Sequence, residues 1–255
     1  ADRSFDVEAL AVALDKHLED QGRALVVLND PCHNPTGYSL SSDEWRRVAD
    51  LLRRAGATAP VAVLMDVAYF RFGGAAATRW IDAIPALLES ATVLVAWTAS
   101  KSFTQYGARV GAVVALHRDV AERTQIENAL GFTCRATWSN CNHLGQRAIT
   151  ELLTVPDLRR RSDEERDELN ALLRRRIDVF NAEARSVGLR MPRYDSGFFV
   201  TVFTRDGERT AAAMRELGVY VLPMPGAVRV ALCSTPLPVI PRLMDALQKG
   251  VAAAE

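Results

Sequence analysis

The alternation of short apolar runs with amphipathic stretches constrains the fold of this chain more than any other feature of its sequence. Apolar runs at 24–28, 61–65 and 92–97 are separated by helical patterns near 42–55 and 78–88. This order is typical of βαβ units. Because the runs are almost purely Val, Leu and Ala, they indicate strands that are buried on both faces. We therefore predict an α/β fold with a mostly parallel sheet sandwiched by helices.

A long charged helix is predicted near 157–187, and the sequence pattern changes after it. The later segment alternates short strands with helices, predicted as strands at 197–204, 219–222 and 228–232 and helices near 207–217 and 236–253. We interpret this pattern as two domains. Residues 1–170 are predicted to form a large domain, and residues 171–255 a small α+β domain that the long helix joins to the first.

The charge balance and hydropathy restrict the partners of the protein. The chain carries 31 Lys and Arg residues against 31 Asp and Glu residues, so no net charge attracts it to nucleic acid or to an anionic membrane. No apolar run approaches the roughly 18 residues that a membrane span needs, and the first six residues lack the pattern of a signal peptide. We predict no nucleic-acid partner and no membrane association.

The cysteines indicate the compartment. Cys32, Cys134, Cys141 and Cys233 show neither a CxxC pair nor the histidine spacing of a zinc site. This pattern argues against a metal site and against a secreted domain held together by disulfides. We predict no bound metal and a cytoplasmic protein whose thiols are reduced.

Polar residues follow three consecutive predicted strands, in the segments 29–37, 66–69 and 98–103. Each segment has a structural alternative: the Asn-Pro-Thr-Gly motif of the first is good turn chemistry, Asp66 can cap a helix, and Lys101 can be a solvated lysine. The carboxyl ends of parallel strands meet at one edge of a sheet, where ligands bind in open α/β folds. The three segments together therefore predict a functional site at that edge.

Five ordered stretches of the sequence resemble one family. They lie at 33–37, 66–69, 100–111, 135–140 and 228–230. On these residues the chain resembles the class I aminotransferases of pyridoxal-phosphate (PLP) fold type I, close to aspartate and aromatic aminotransferases. The resemblance would make this chain roughly the last two-thirds of a typical member. We therefore expect a fragment of a longer enzyme, whose phosphate-binding loop and ring-stacking aromatic residue lie in the missing amino-terminal part.

The resemblance implies cofactor-binding and catalytic roles. Lys101 would form the Schiff base with PLP and then move the substrate Cα proton, a pair of tasks that suits a lysine amine. Asp66 would face the pyridine nitrogen and keep it protonated. Tyr69 and Asn34 would donate hydrogen bonds to the ring phenolate oxygen.

The remaining implied roles concern the cofactor phosphate and the carboxylates of the substrate. Arg109 and Thr98 would bind the cofactor phosphate, although Arg109 could instead form a surface ion pair. Arg229, with Asn34 beside it, would bind the substrate α-carboxylate, and the alternative is a buried carboxylate partner. Arg135 would reach across the interface of a homodimer to the distal carboxylate of an acidic substrate.

These implied roles predict transfer of an amino group between an acidic or aromatic amino acid and a 2-oxo acid, such as 2-oxoglutarate or oxaloacetate. Two alternatives remain open. Other fold type I enzymes, such as decarboxylases and lyases, would use the same cofactor residues. A non-catalytic fragment that needs a separate amino-terminal piece is the third hypothesis. The resemblance is loosest at 141–143, where relatives usually continue with two prolines after the Ser-Asn pair.

Overall fold

The structure, a computed structural model, describes residues 4–255. Its first half forms a four-stranded sheet in the order β1-β2-β3-β4. The elements are α1 (Val7–Gln21), β1 (Ala24–Asn29), α2 (Ser42–Gly56), β2 (Val61–Asp66), α3 (Arg79–Leu87), β3 (Thr92–Thr98), α4 (Ala99–Ser102) and β4 (Gly111–Leu116). Strands β1, β2 and β3 are parallel, whereas β4 is antiparallel to β3. The predicted α/β fold with a mostly parallel sheet is confirmed.

Local sequence explains the start and the packed face of α2. The Ser41 hydroxyl accepts a hydrogen bond from the Glu44 backbone N–H at 3.2 Å, and the Glu44 carboxylate accepts one from the Ser41 N–H at 2.7 Å. This reciprocal pair is a capping box, which satisfies two backbone donors that the helix leaves free. Trp45, Val48 and Leu52 follow on one face at helical spacing and are buried against the sheet.

The first sheet is covered unevenly. Helices α1, α2 and α3 bury one face, in a core that includes Val63 and Val93. On the other face, Leu25 and Val27 of β1 are 58% and 60% exposed, and Val114 of β4 is 50% exposed. The prediction that the strands are buried on both faces is therefore wrong for these residues. The sequence pattern detects apolar residues but does not show whether a second layer covers them.

Three helices follow the first sheet: α5 (Val120–Trp138), α6 (His143–Thr154) and α7 (Pro156–Ser186). No residue of α5 is buried. The 31-residue α7 occupies the position of the predicted long helix, and its carboxyl-terminal half buries Leu173, Ile177 and Phe180. None of the helices within residues 4–255 has both the length and the apolar composition needed to cross a bilayer.

The last part of the chain forms a three-stranded antiparallel sheet in the order β5-β7-β6. Its elements are β5 (Phe199–Phe203), α8 (Gly207–Glu216), β6 (Leu222–Met224), β7 (Ala227–Ala231) and α9 (Ile240–Ala253). The strand predicted at 219–222 is misplaced, since β6 begins only at Leu222. The Val219 N–H instead donates to the Met214 carbonyl at 3.0 Å and closes the end of α8.

The apolar side chains form two main clusters, each associated with one sheet. The first extends from Val7 to Val95, and the second extends from Leu173 to Leu247 and includes the second half of α7. A division into two domains at residue 170 stays a prediction, and residues 1–3 of the predicted large domain lie outside the described residues.

Candidate active site

Lys101 lies at the carboxyl end of β3, in the one-turn helix α4. The Thr98 hydroxyl caps this turn by accepting from the Ser100 N–H at 3.1 Å, and the Ala99 N–H donates to the Val110 carbonyl at 3.0 Å. The Lys101 Nζ atom lies 4.3 Å from the ring centroid of Tyr106. Burial lowers the pKa of Lys101, and the nearby positive charges of Arg109 and Arg229 lower it further. A larger share of this amine is therefore neutral, as a nucleophile or base requires.

Tyr69 lies in the turn that follows β2, and its ring centroid is 5.6 Å from the Lys101 Nζ atom. The ring is buried edge-on against Phe198, with centroids 5.3 Å apart, and against Phe199 at 6.4 Å. Burial raises the pKa of Tyr69 to about 12. The phenol therefore keeps its proton at neutral pH and can donate a hydrogen bond.

Asp66 is the last residue of β2 and is half-buried. One oxygen of its carboxylate accepts from the Ala68 N–H at 3.1 Å, which holds the side chain at the carboxyl edge of the sheet. In the parallel ladder Asp66 is paired with Asn29 of β1 and Ala96 of β3. The first, second and third predicted segments therefore begin at one edge, as the strand order requires.

Arg229 and Asn34 meet although they are 195 positions apart. The Arg229 Nη1 group donates to the Asn34 Oδ1 atom at 3.1 Å, and the guanidinium carbon lies 4.3 Å from the Phe199 ring centroid. Strand β7 of the second sheet carries Arg229, whereas Asn34 lies in the loop after β1. This contact brings the predicted substrate-binding arginine to the edge where the first sheet presents Asp66 and Tyr69.

Arg109 and Thr98 lie on the two sides of the β3–β4 connection. Arg109 is exposed, with φ of 51°, and its guanidinium donates to the Tyr106 carbonyl at 3.0 Å. The Thr98 hydroxyl donates to the Ser100 hydroxyl at 3.0 Å and lies 3.3 Å from the Val110 carbonyl. The described contacts of Arg109 and Arg229 include no carboxylate. Both guanidinium groups are thus available for an anion.

Arg135 lies apart from this cluster. It is in the last turn of α5 and exposed, and its guanidinium donates to the Ser139 carbonyl at 3.2 Å and to the Ser139 hydroxyl at 3.1 Å. None of its described contacts reaches Lys101, Asn34 or Arg229. The structure therefore brings seven of the eight predicted site residues to one edge region and leaves Arg135 outside it.

Two residues at the site had no predicted role. Asn29 donates from Nδ2 to the Asp66 carbonyl at 3.2 Å, and its Oδ1 accepts from the Asn34 N–H at 2.7 Å, so it links two neighbouring segments. The sequence signal for Asn29 was its position as a polar residue at the end of an apolar strand. Cys233 follows β7 near Lys101, and burial raises the pKa of its half-buried thiol. No local pattern marked this second residue.

Taken together, the edge offers one amine of lowered pKa, one carboxylate, one protonated phenol, an amide and two guanidinium groups without carboxylate partners. An amine beside a phenol suits covalent capture of a carbonyl compound followed by proton transfer. The guanidinium groups suit phosphate and carboxylate recognition. No group of three or more potential metal-ligating side chains occurs within residues 4–255.

Comparison with known proteins agrees with this arrangement. The family model described as aminotransferase class I and II matches residues 1–247. The aromatic-amino-acid aminotransferase of Paracoccus denitrificans is 36% identical over 167 residues, which are 62% of this chain and 40% of that protein. The aspartate aminotransferase of Pseudomonas aeruginosa is 30% identical over 181 residues, which are 68% of this chain and 43% of that protein.

A solved structure resembles almost the whole chain. The crystal structure of an aminotransferase from Anaerococcus prevotii matches with a TM-score of 0.88 and 27% identity, covering 99% of this chain and 62% of that one. The matched region thus spans about two-fifths of the relatives' sequences and less than two-thirds of the solved chain. Since the family model covers nearly all of the sequence, the chain belongs to the class I and II aminotransferase family.

Proposed function

We propose that this chain forms the lysine-bearing part of a PLP-dependent aminotransferase that moves an amino group between an acidic or aromatic amino acid and a 2-oxo acid. One observation carries the proposal: Lys101, Tyr69 and the Arg229–Asn34 pair converge on one sheet edge from four separate segments. Membership of the family supports the reaction type. The names of the two relatives support aromatic and acidic amino acids as the substrate class.

The residues present fit the functional groups of PLP. Lys101 would hold the aldehyde carbon, and Asp66 would hold the protonated pyridine nitrogen. Tyr69 would donate to the phenolate oxygen, since its pKa of about 12 keeps the proton on the phenol. The Asn34 Oδ1 atom already accepts from Arg229, which leaves its Nδ2 group as a second donor to that oxygen.

The phosphate end has an equally suitable partner. Arg109 would pair with the phosphate through a guanidinium that no described carboxylate neutralises, and the Thr98 hydroxyl would add a hydrogen bond. When bound, PLP supplies an electron sink for the pair of electrons left at the substrate Cα atom. Lys101 would accept the proton from the substrate Cα atom and deliver it to the C4′ atom of PLP, a task for which its lowered pKa suits it.

Substrate recognition is proposed to involve two arginines. Arg229 binds the α-carboxylate through its planar guanidinium group, and Asn34 and the Phe199 ring fix the orientation of that group. Arg135 binds the distal carboxylate of an acidic substrate in the site of a partner subunit. Its position outside the cluster of its own chain supports this assignment, and a homodimer is part of the proposal.

The proposal also covers the compartment and the amino acceptor. We place the protein in the cytoplasm because the spacing of its four cysteines does not match the disulfide framework of a small secreted domain. We name 2-oxoglutarate or oxaloacetate as the amino acceptor because an exposed arginine such as Arg135 suits a second carboxylate. The other PLP reactions and a non-catalytic fragment are the alternatives, and the experiment separates all three.

The small number of lysines allows a direct test of which one binds PLP. The chain has three lysines, and two of them form exposed ion pairs: Lys16 with Asp20 and Lys249 with Asp245, each at 2.8 Å. We would incubate the protein with one equivalent of PLP, reduce with borohydride, and map the labelled peptides by mass spectrometry. We expect the label on Lys101, no label in Lys101→Ala, and unchanged labelling in the matched control Lys16→Ala.

The second half of the experiment tests the reaction. Aspartate, glutamate or tyrosine would be supplied with a 2-oxo acid, and formation of the corresponding new amino acid would be measured. New amino acid that requires Lys101 supports transamination, whereas release of carbon dioxide or ammonia instead supports another PLP reaction. Labelling of Lys101 without turnover supports a fragment that needs its amino-terminal part. Equal labelling of all three lysines would contradict the cofactor assignment.

A further inference from the structure

Two thiols near the end of α5 are in contact. The Sγ atoms of Cys134 and Cys141 lie 3.6 Å apart, although the residues are seven positions apart in sequence. Cys134 is partly exposed in the helix, and Cys141 is exposed in the connection to α6. An exposed pair of thiols at this separation differs from the other two cysteines. Cys32 is buried and Cys233 is half-buried, and neither has a cysteine among its described contacts.

The backbone between the two cysteines holds them on the same side. Ser139 has φ of 67°, which reverses the chain at the end of α5. The Asn140 N–H then donates to the Trp138 carbonyl at 2.7 Å, and the Cys141 N–H donates to its neighbour's side-chain oxygen at 3.0 Å. These hydrogen bonds turn Cys141 back toward the helix. The approach of the two sulfurs is thus built by the turn and does not depend on a distant contact.

The far side of the connection is anchored as well. The Asn142 side chain caps α6 by accepting from the Gly145 N–H at 3.1 Å, and its Nδ2 group donates to the Ala108 carbonyl at 2.8 Å. Cys141 is therefore held between the end of α5 and a residue that is fixed to the β3–β4 connection. A disulfide bond requires the sulfur separation to fall from 3.6 Å to roughly 2 Å.

We propose that Cys134 and Cys141 form an intramolecular disulfide by exchange with a small-molecule disulfide oxidant. In the first step, the thiolate of one cysteine attacks a sulfur of the oxidant, which gives a mixed disulfide and releases one thiol. In the second step, the other cysteine attacks the mixed disulfide, forms the Cys134–Cys141 bond and releases the second thiol. The two protein thiols lose two protons and two electrons, and the oxidant is reduced to two thiols.

The disulfide would close around Arg135. This residue lies between the two cysteines, and its guanidinium already donates to the Ser139 carbonyl and hydroxyl. Bridging the ends of the turn would hold Arg135 in that arrangement. An effect on acidic substrates follows only if Arg135 has its proposed role, so this consequence rests on the proposed function. The disulfide itself can be tested without activity.

The experiment treats the full 255-residue chain at low concentration with oxidised glutathione in mildly alkaline buffer. Alkaline buffer is chosen because the hydrogen bond with Cys134 raises the pKa of the Cys141 thiol, and the thiolate is the reactive form. Remaining thiols are then alkylated and the protein is digested with trypsin. Cleavage after Arg123, Arg135 and Arg147 places the two cysteines in adjacent peptides, 124–135 and 136–147.

We expect these two peptides to be joined in the wild type, with an intact mass lower by about 2 Da. Cys134→Ser and Cys141→Ser should each give a glutathione adduct instead, whereas Cys233→Ser should keep the joined peptides. Wild-type protein that carries only glutathione adducts, or that forms only dimers linked between chains, would overturn the proposal. Since none of these readouts involves PLP or substrate, failure of the proposed function would leave the result unchanged.

Discussion

The loop that carries Asn34 and the turn that carries Arg135 differ in where their hydrogen bonds go. Residues 29–40 are held by distant partners: the Ser39 N–H donates to the Asp195 carboxylate at 3.1 Å, and the Thr201 hydroxyl donates to the Pro35 carbonyl at 3.0 Å. Arg135 and its neighbours instead bond mainly within their own turn. One segment is positioned by the whole fold, and the other by local structure.

This difference distinguishes the part of the proposed site that one chain holds in place from the part that it leaves exposed. The Asn34 loop meets Arg229 directly and the Asp66 backbone through Asn29, and these hydrogen bonds fix it within one chain. Arg135 has no such partner among the described residues. We expect an arginine that binds substrate in a partner subunit's site to be exposed and to make only local contacts in its own chain. Substitutions in the two regions therefore test the comparison.

The largest effect is expected in the core beneath the second sheet. Phe180 of α7 is fully buried, whereas Phe132 of α5 is 75% exposed. Phe180→Ala should lower the free energy of unfolding by about 4 kcal/mol, because it removes apolar contacts and leaves a cavity. Phe132→Ala should change it by less than about 0.5 kcal/mol. Urea unfolding followed by circular dichroism measures both, and equal losses would show that α5 is packed as tightly as α7.

A backbone substitution in the Asn34 loop should be almost as costly. Gly37 has φ of 70°, and an added Cβ atom would lie against the Tyr194 ring and 2.5 Å from the Phe199 carbonyl oxygen. Gly37→Ala should therefore lower the free energy of unfolding by about 3 kcal/mol through strain and overpacking. Gly188 has nearly the same φ, 69°, but no atom within 4 Å of the added carbon. Gly188→Ala should cost only about 1 kcal/mol, and an equal loss from both variants would exclude the steric argument.

The Asn34 loop should also make stability depend on pH through Asp30. This carboxylate accepts from the Leu40 N–H at 2.7 Å and the Trp45 indole N–H at 2.9 Å, and burial raises its pKa from 3.8 to about 6. The folded state thus binds the proton more tightly than the unfolded state. Stability from this group is present below about pH 4 and is lost as the pH rises through 6, by roughly 2 to 3 kcal/mol.

Asp30→Asn isolates that contribution because it removes the titration. We expect the difference in unfolding free energy between wild type and variant to change across pH 4 to 6 by this amount, in favour of the wild type at the acidic end. The variant also loses one acceptor, which costs about 1 to 3 kcal/mol at every pH. Chemical denaturation at a series of pH values separates the two effects, and a pH-independent difference would show that folding does not raise the pKa of Asp30.

The strands and the carboxyl edge of the first sheet could be predicted from the sequence, whereas most contacts between the site residues could not. Strand β2 and the Asp66 that ends it follow from a run of apolar residues and the geometry of parallel strands. The contact between Asn34 and Arg229 could be inferred only by resemblance, because no local pattern links residues 195 positions apart. The role of Asn29 was missed because its two hydrogen bonds depend on the arrangement of neighbouring segments.

Exposure was the property that the sequence predicted least well. Leu25 and Val27 look like buried strand residues, yet more than half of each side chain is exposed. Apolar periodicity reports which residues could be covered, whereas coverage depends on helices elsewhere in the protein. Helix α5 is a second exposed region, since its leucine, valine and aromatic residues include none that is buried.

The smallest expected effect compares the two arginines directly. Arg229→Gln removes the hydrogen bond to Asn34 and the stacking on Phe199, and should lower the free energy of unfolding by about 1 kcal/mol. Arg135→Gln removes only contacts to Ser139 at an exposed helix end, and should change it by less than about 0.5 kcal/mol. Both values come from urea unfolding of the two variants beside wild type. A loss from Arg135→Gln that matched the loss from Arg229→Gln would mean that the Arg135 turn contributes to the stability of its own chain, and would remove the structural reason for assigning this residue to a partner's site.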